Sequence, residues 1–258
     1  FRISGSNLQT DASFNFESQS SYDIRIETED SGGLTYEGAI TITITDVNEV
    51  PTDISLSSTS VNENENSGTT VGALSSTDVD AGDSHTYTLV SGSGSTHNSS
   101  FSINGSNLNT AASFDFESQG SYNIRIRTAD SGGLYYEEAF TIYVIDINES
   151  PIITSNGGGS TANISITENS TAVTTVTSTD QDAGSSASYS IVGGNDQSDF
   201  NINSSSGVLS FSSAPDFENP QDSNSDNSYV VTVQVSDGSN TDSQTMTVTV
   251  TDLDETPP

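Results

Sequence analysis

Residues 1–50 slide onto residues 101–150 with 33 identities in 50 positions and no gap. A period of one hundred residues confines the chain to tandem copies of one folding unit. The close of each copy sets the register: Asp46-Val47-Asn48-Glu49-Val50-Pro51 returns as Asp146-Ile147-Asn148-Glu149-Ser150-Pro151 and, altered, as Asp252-Leu253-Asp254-Glu255-Thr256-Pro257. Residues 1–50 therefore read as the C-terminal half of a repeat, 51–150 as a whole repeat, and 151–258 as a third, more diverged copy. Phe1 opens mid-pattern with no leader sequence, as in a window cut from a longer protein. A repeat of this length can bury its own core.

Strand signals fill each copy. Apolar and polar residues alternate in Tyr22–Ile26, Tyr122–Ile126 and Tyr229–Val235, and again in Ile40–Ile44, Phe140–Val144 and Met246–Val250. Turn-formers separate the members of each pair: Asp30-Ser31-Gly32-Gly33, Asp130-Ser131-Gly132-Gly133 and Asp237-Gly238-Ser239-Asn240, as in antiparallel hairpins. Val71–Leu74, Thr86–Val90 and Phe101–Ile103 precede them in one repeat, and Val173–Val176, Ser188–Val192 and Phe200–Ile202 in the next. About seven short strands per ~100 residues, with no helical stretch, predict an all-β chain of tandem seven-stranded Greek-key β-sandwiches.

The charge narrows the function. With 4 Lys+Arg against 36 Asp+Glu the formal net charge is −32, which repels nucleic acid and anionic membranes. Such acidity also accompanies disorder, but here the apolar 30% lies in strict alternations, which is the mark of folded β-structure. No Lys is present, so networks of surface ion pairs cannot stabilise the fold. Divalent cations can. Cys is absent, so disulfides contribute nothing, and no apolar run approaches the roughly 20 residues of a membrane span.

The oxygen donors fall in five recurring clusters, each just outside a strand. Glu65-Asn66 pairs with Glu168-Asn169, Asn66-Ser67 matching Asn169-Ser170, so Glu65 is preferred over Glu63. Asp78-Val79-Asp80 pairs with Asp180-Gln181-Asp182, and Asp115-Phe116-Glu117 with Asp216-Phe217-Glu218, where the half repeat has Asn15-Phe16-Glu17. The hairpin aspartates Asp30, Asp130 and Asp237 are the fourth cluster, and the closing seam is the fifth. An intervening residue keeps two donors on one face of an extended segment. Calcium takes six to eight oxygens at about 2.3–2.6 Å, and carboxylate pairs can provide them.

These five clusters, in this order and over the whole chain, resemble the cadherin repeat, and the seam is closest to that of bacterial cadherin-like repeats of large surface proteins. The resemblance implies calcium held by successive repeats. Glu65, Asp115, Glu117, Asp146, Asn148 and Glu149 would act with Asp180, Asp182 and Asp237. Glu17, Asp46, Asn48 and Glu49 would act with Asp78, Asp80 and Asp130. Glu168, Asp216, Glu218, Asp252, Asp254 and Glu255 would form half of a site for a further repeat. The seam is one residue shorter than the animal linker and carries one Glu in place of Asp-Asn, so the number of ions per seam does not carry over. Asn15 in place of Asp weakens the first set.

The implied protein is an extracellular or cell-surface adhesion or spacer array that uses Ca2+ and is not an enzyme. Its partners would be other repeats of the same chain, or the same protein on another cell or in a filament, with no nucleic acid and no membrane insertion. No nucleophile–base motif is visible, and carboxylate pairs copied in every repeat argue against a catalytic pocket. Three rivals remain. A polysaccharide-binding accessory segment predicts an exposed aromatic row, for which Tyr135, Tyr136 and Tyr143 are the candidates; a filament subunit would use the open edges of residues 1–50; a salt-adapted acidic protein would prefer no metal. His85 and His97 read as surface polar residues, Phe14, Phe16, Phe114, Phe116 and Phe217 as core anchors, and Asp222-Ser223-Asn224-Ser225-Asp226 as the opening of an EF-hand-like loop without its Gly and distal Glu.

Overall fold

The structure is a computed structural model and describes residues 1–254. By its contacts the chain divides into two compact units, Phe1–Ile145 and the residues from Asp146 onward. Both are built almost wholly of antiparallel strands, as the alternation predicts, and form tandem β-sandwich domains.

The first unit opens with two hairpins. Strands β1 (Arg2–Ser4) and β2 (Asn7–Gln9) pair with each other, and β3 (Ser21–Glu29) pairs with β4 (Thr35–Thr43) from Ser21↔Thr43 to Glu29↔Thr35. A sandwich follows. One sheet runs β5 (Asp53–Leu56), β7 (Thr70–Thr77), β10 (Asn107–Thr110), β9 (Phe101–Asn104); the other runs β6 (Ser60–Asn62), β12 (Tyr135–Ile145), β11 (Ser121–Ala129), β8 (Thr86–Leu89). The first strand is thus split between the sheets, and its second piece, β6, lies parallel to β12 with Val61 opposite Val144. Inward residues of both sheets, among them Leu74, Leu108, Ile124, Ile126 and Ile142, make one core.

The same residue types give unequal burial in the two copies. Leu108, inside a four-stranded sheet, is fully buried, whereas Leu8 of the two-stranded β1–β2 hairpin is 37% exposed, and Ile3 is 59% exposed. Among the described residues, no counterpart of residues 51–100 lies over the two hairpins. Phe1, Phe14 and Tyr22 instead pack on one another, with centroids 4.8–5.9 Å apart.

The second unit repeats the sandwich. Its larger sheet runs β14 (Thr161–Thr167), β21 (Thr241–Thr251), β20 (Ser228–Ser236), β17 (Ser188–Gly193), with β14 parallel to β21; the smaller runs β15 (Ala172–Thr175), β19 (Val208–Phe211), β18 (Phe200–Ile202). The short β13 (Ile152–Ile153) pairs with β16 (Ser178–Thr179). Tyr229, Val231, Val233 and Val235 of β20 alternate into the core, and Met246, Val248 and Val250 of β21 face them.

The aromatic row that a polysaccharide-binding segment predicts does not form from its three candidates. Tyr136 packs against the core, while the exposed Tyr135 and Tyr143 stand eight residues apart on β12, roughly 27 Å at strand rise, too far to line one sugar. Phe116 is also not a core anchor: it is 37% exposed and lies over Gly120.

Candidate metal centre

In the first unit the seam after β4 lies against the loops that flank β8 and β11–β12. The Asn48 side-chain amide donates to Asp130 Oδ2 at 2.9 Å and to the Glu49 carbonyl at 3.2 Å, and the Glu49 backbone N–H donates to Asp80 Oδ2 at 2.9 Å. Glu17, Asp46, Glu49 and Asp80 each offer a carboxylate oxygen within 4.8 Å of the others. Asp78 and Asp130 form a second such group with Asp83, which sequence reasoning did not select. Asp83 is the fifth residue after Asp78 and has no acidic counterpart in the next repeat, where Ser185 stands; repetition was the signal in use, and it misses a residue present once.

The electrostatics of this cluster are frustrated. Withdrawal from water holds the Glu49 carboxyl above its ordinary range, and the approach of the Asp80 carboxylate and the charges of Glu17, Asp80 and Asp46 push the same way. Asp80 Oδ1 is buried with no hydrogen-bond partner. Hydrogen bonds from Ser131 and Ser84 pull the Asp83 carboxyl down from its ordinary range. A cleft of about 360 Å³ opens over Asp46, Asn48, Asp80, Asp83 and Ser131. Gly132 borders the seam so closely that a Cβ there would meet Asn48 Oδ1.

His85 is not a free surface residue. Its Nε2 lies 3.1 Å from Asp78 Oδ2, with the histidine side chain 13% exposed. His97 accepts the Asn123 backbone N–H at Nδ1 and packs edge-on to Tyr122.

The second unit reproduces the seam bonds. Asn148 donates to Asp237 Oδ2 at 2.8 Å and to the Glu149 carbonyl at 2.9 Å, the Glu149 N–H donates to Asp182 Oδ2 at 2.9 Å, and the Asp182 N–H donates to Asp180 Oδ1 at 3.0 Å. The Asn148 bond is the largest of several that lower the Asp237 pKa. Here Asn240 replaces the double glycine, and its amide holds the Asn148 and Glu149 carbonyls.

The leading glutamate requires a correction. Glu63, not Glu65, is the partner of Glu168. Glu63 and Glu168 are 2% and 3% exposed, and their Oε2 atoms accept the Phe116 and Phe217 N–H groups at 2.8 and 2.7 Å. Each is followed by an asparagine in the left-handed region, Asn64 at φ 60° and Asn169 at φ 63°, whose N–H donates to the Phe114 and Pro215 carbonyls. Glu63, Asp115 and Glu117 converge within 4.8 Å, as do Glu168, Asp216 and Glu218. Glu65 is exposed and belongs to neither group, because the match on Asn66-Ser67 is two residues out of step with the backbone.

The remaining candidates divide. Glu168 Oε1 accepts the Leu253 N–H at 2.9 Å, which ties the last seam to its glutamate. Asp252 and Asp254 are exposed beside it, and Glu255 lies outside the described residues. Asp222 is spent on its own loop, accepting the Asp226 and Asn227 N–H groups, so no metal-binding group forms there among the described residues.

The family described as Cadherin domain matches residues 57–148 and 162–251. None of the curated protein sequences compared with this one matches it. Among solved structures, the chain is similar to a protocadherin gammaB7 EC3-6 cis-dimer structure, at 28% identity and a TM-score of 0.54, over 93% of this chain and 60% of that one. It is similar to the protocadherin gamma B2 extracellular cadherin domains 1-5 at 25% identity and a TM-score of 0.58, over 93% of this chain and 48% of that one. Mouse cadherin-23 EC22-24, at 22% identity, a TM-score of 0.53 and coverage of 94% and 78%, shows the shared fold alone. The chain spans 39–60% of the first three protocadherin fragments it matches. No helix among the described residues is long and apolar enough to cross a membrane. With two family matches that cover most of its length, and with both matched segments folded as β-sandwiches, the chain belongs to the cadherin domain family.

Proposed function

We propose that this chain is part of an extracellular adhesion or spacer array in which calcium stiffens the connection between successive cadherin domains. Residues 1–50 are, on this reading, the second half of a repeat, with boundaries near 50 and 150. The observation that carries it is Asp80: one oxygen is held by the Glu49 N–H, and the other is buried without a partner among the carboxylates of Glu17, Asp46 and Glu49. A buried orphan oxygen in a group of like charges is costly unless a cation satisfies it. The donors are hard oxygens with no thiolate, which suits calcium.

Glu17, Asp46, Asn48, Glu49, Asp78, Asp80 and Asp130 would hold the ion or ions of the first seam, with Asp83 added. By repetition, Asp146, Asn148, Glu149, Asp180, Asp182 and Asp237 take the same part, as do Glu63, Asp115 and Glu117, and Glu168, Asp216, Glu218, Asp252, Asp254 and Glu255. A bound divalent ion neutralises charges that otherwise repel, so a hinge loses freedom. The role is mechanical rather than catalytic. Two features bear on self-association: the cis-dimer described for protocadherin gammaB7, and the open edges and exposed apolar residues of the β1–β4 hairpins.

Small-angle scattering with calcium and with a chelator tests the proposal. Calcium should reduce flexibility, and sodium at equal ionic strength should not. Identical curves in all three conditions would contradict it.

A further inference from the structure

Away from the seams, the second unit holds a cleft of about 210 Å³ with a floor of Phe211, Pro215 and Tyr229, all buried, and a rim of Ser212, Ser213, Ala214 and Gln221. The Phe211 and Tyr229 rings meet edge to face, 5.0 Å between centroids and 85° apart, and the Tyr229 hydroxyl accepts the Gln221 N–H at 3.1 Å. Asp199 lines one side, half-buried: its carbonyl accepts the Ser212 N–H at 2.7 Å, and its carboxylate, close enough for its charge to act on the Tyr229 hydroxyl, has no hydrogen bond or ion pair to any described residue. The two carboxylates nearest in charge are already committed. Asp196 accepts the Ser223 and Val230 N–H groups at 2.7 Å each, and Asp222 accepts those of Asp226 and Asn227. They pin the loop after Phe217 and still act on Asp199 through space.

The first sandwich lacks the same lining. Its strand pairing sets Thr110 opposite Phe101 where Phe211 stands opposite Phe200, and Ser100 precedes Phe101 where Asp199 precedes Phe200. The carboxylate and half of the aromatic floor thus belong to the second unit alone.

We propose that this cleft binds an organic monocation, an alkylammonium or guanidinium group, with Asp199 as its counter-ion. A single free carboxylate offers too few oxygens for calcium. A monocation carrying an apolar stem fits a small cleft with one uncompensated carboxylate and apolar walls. The chain has no Lys or Arg side chain to spare: it contains no Lys, and Arg2, Arg25, Arg125 and Arg127 are all paired with Asp11, Glu37 or Glu137. Burial, then the charges of Asp196 and Asp222, push the Asp199 carboxyl upward, a stress that a bound cation would relieve.

The test is an NMR titration of the whole chain with n-butylammonium chloride, against n-butanol and sodium chloride as controls. Butylammonium should shift the Phe211, Ser212 and Gln221 amides saturably while neither control does. Asp199→Asn should weaken binding roughly tenfold or more, the loss expected on removing a charge-assisted hydrogen bond. Should that variant fail to fold, Ala214→Leu, at the exposed rim, should block the cleft with Asp199 intact. N-acetyl-lysine amide binding as tightly as butylammonium assigns the cation to a partner's side chain, and weaker binding assigns it to a free amine. Equal shifts from butanol, equal shifts from sodium, no saturable shift, or full binding by the folded variant would overturn the proposal.

Discussion

At the scale of the residue, Glu63 decides how the leading acidic cluster is built. Its carboxylate caps the Phe116 N–H from a nearly inaccessible position, so Glu63→Ala in calcium should cost about 1–3 kcal/mol, the penalty for stranding a buried donor. Glu65→Ala should stay within about 0.5 kcal/mol, as at an ordinary surface position. Denaturant melts of both variants measure the difference, and equal losses would restore Glu65. The letters point to Glu65 because Asn66-Ser67 copies Asn169-Ser170, while the backbone copies a left-handed asparagine, Asn64 for Asn169. A φ value is not written in the letters when two asparagines lie two residues apart. Glu137 supplies a pH test. Hydrogen bonds from Arg127, then Arg125, hold its carboxyl below the usual glutamate value. Its contribution to stability is therefore present above the unfolded-state pKa and lost as pH falls through the lower folded one. Glu137→Gln should flatten the acid side of the melting-temperature profile, and an unchanged profile would show that the pair contributes nothing.

At the scale of the element, the two long closing strands were readable and their parallel neighbours were not. The alternation of Tyr229–Val235 and Met246–Val250 specifies register and face together, because only one face can be buried. Strands β6 and β14 carry weaker signals: β6 is three residues long, too short to alternate, and β14 alternates through Ala162, Ile164 and Ile166 but pairs in parallel, with no hairpin turn to mark it. A polar residue on the inner face was also invisible. Gln244 lies opposite Val233 and is fully buried, with its amide donating to the Gly159 carbonyl at 2.7 Å; Glu138 takes the matching place opposite Ile126, with Oε2 buried and unpartnered. Gln244→Leu should therefore destabilise by about 1–3 kcal/mol, and Glu138→Leu should stabilise by about 1 kcal/mol, since only the first removes a satisfied bond. Thermal melts that rank the two in the opposite order would refute this account of the inner face. Gly132→Ala would press a methyl group on Asn48. The variant should loosen the Asn48–Asp130 bond and weaken calcium binding while leaving the core intact, as read by calcium titration beside a melt.

At the scale of the whole molecule, the hundred-residue period, the all-β class and the family were legible because tandem repetition prints the same constraints more than once. The seam clusters were legible for the same reason, whereas Asp83, His85 and the Asp199 cleft occur once and left no echo to find. The net charge of −32 with no lysine gives the chain little internal compensation, which is the charge balance that the proposed calcium at the seams would relieve. The most direct test is calorimetric titration of the chelator-stripped chain with calcium, beside the triple variant Asp46→Asn, Glu49→Gln, Asp80→Asn. Saturable binding at constant ionic strength that falls in the variant, while its sandwiches melt no lower than the parent's in chelator, is the predicted result. No saturable binding, or a variant that binds as the parent does, would contradict it.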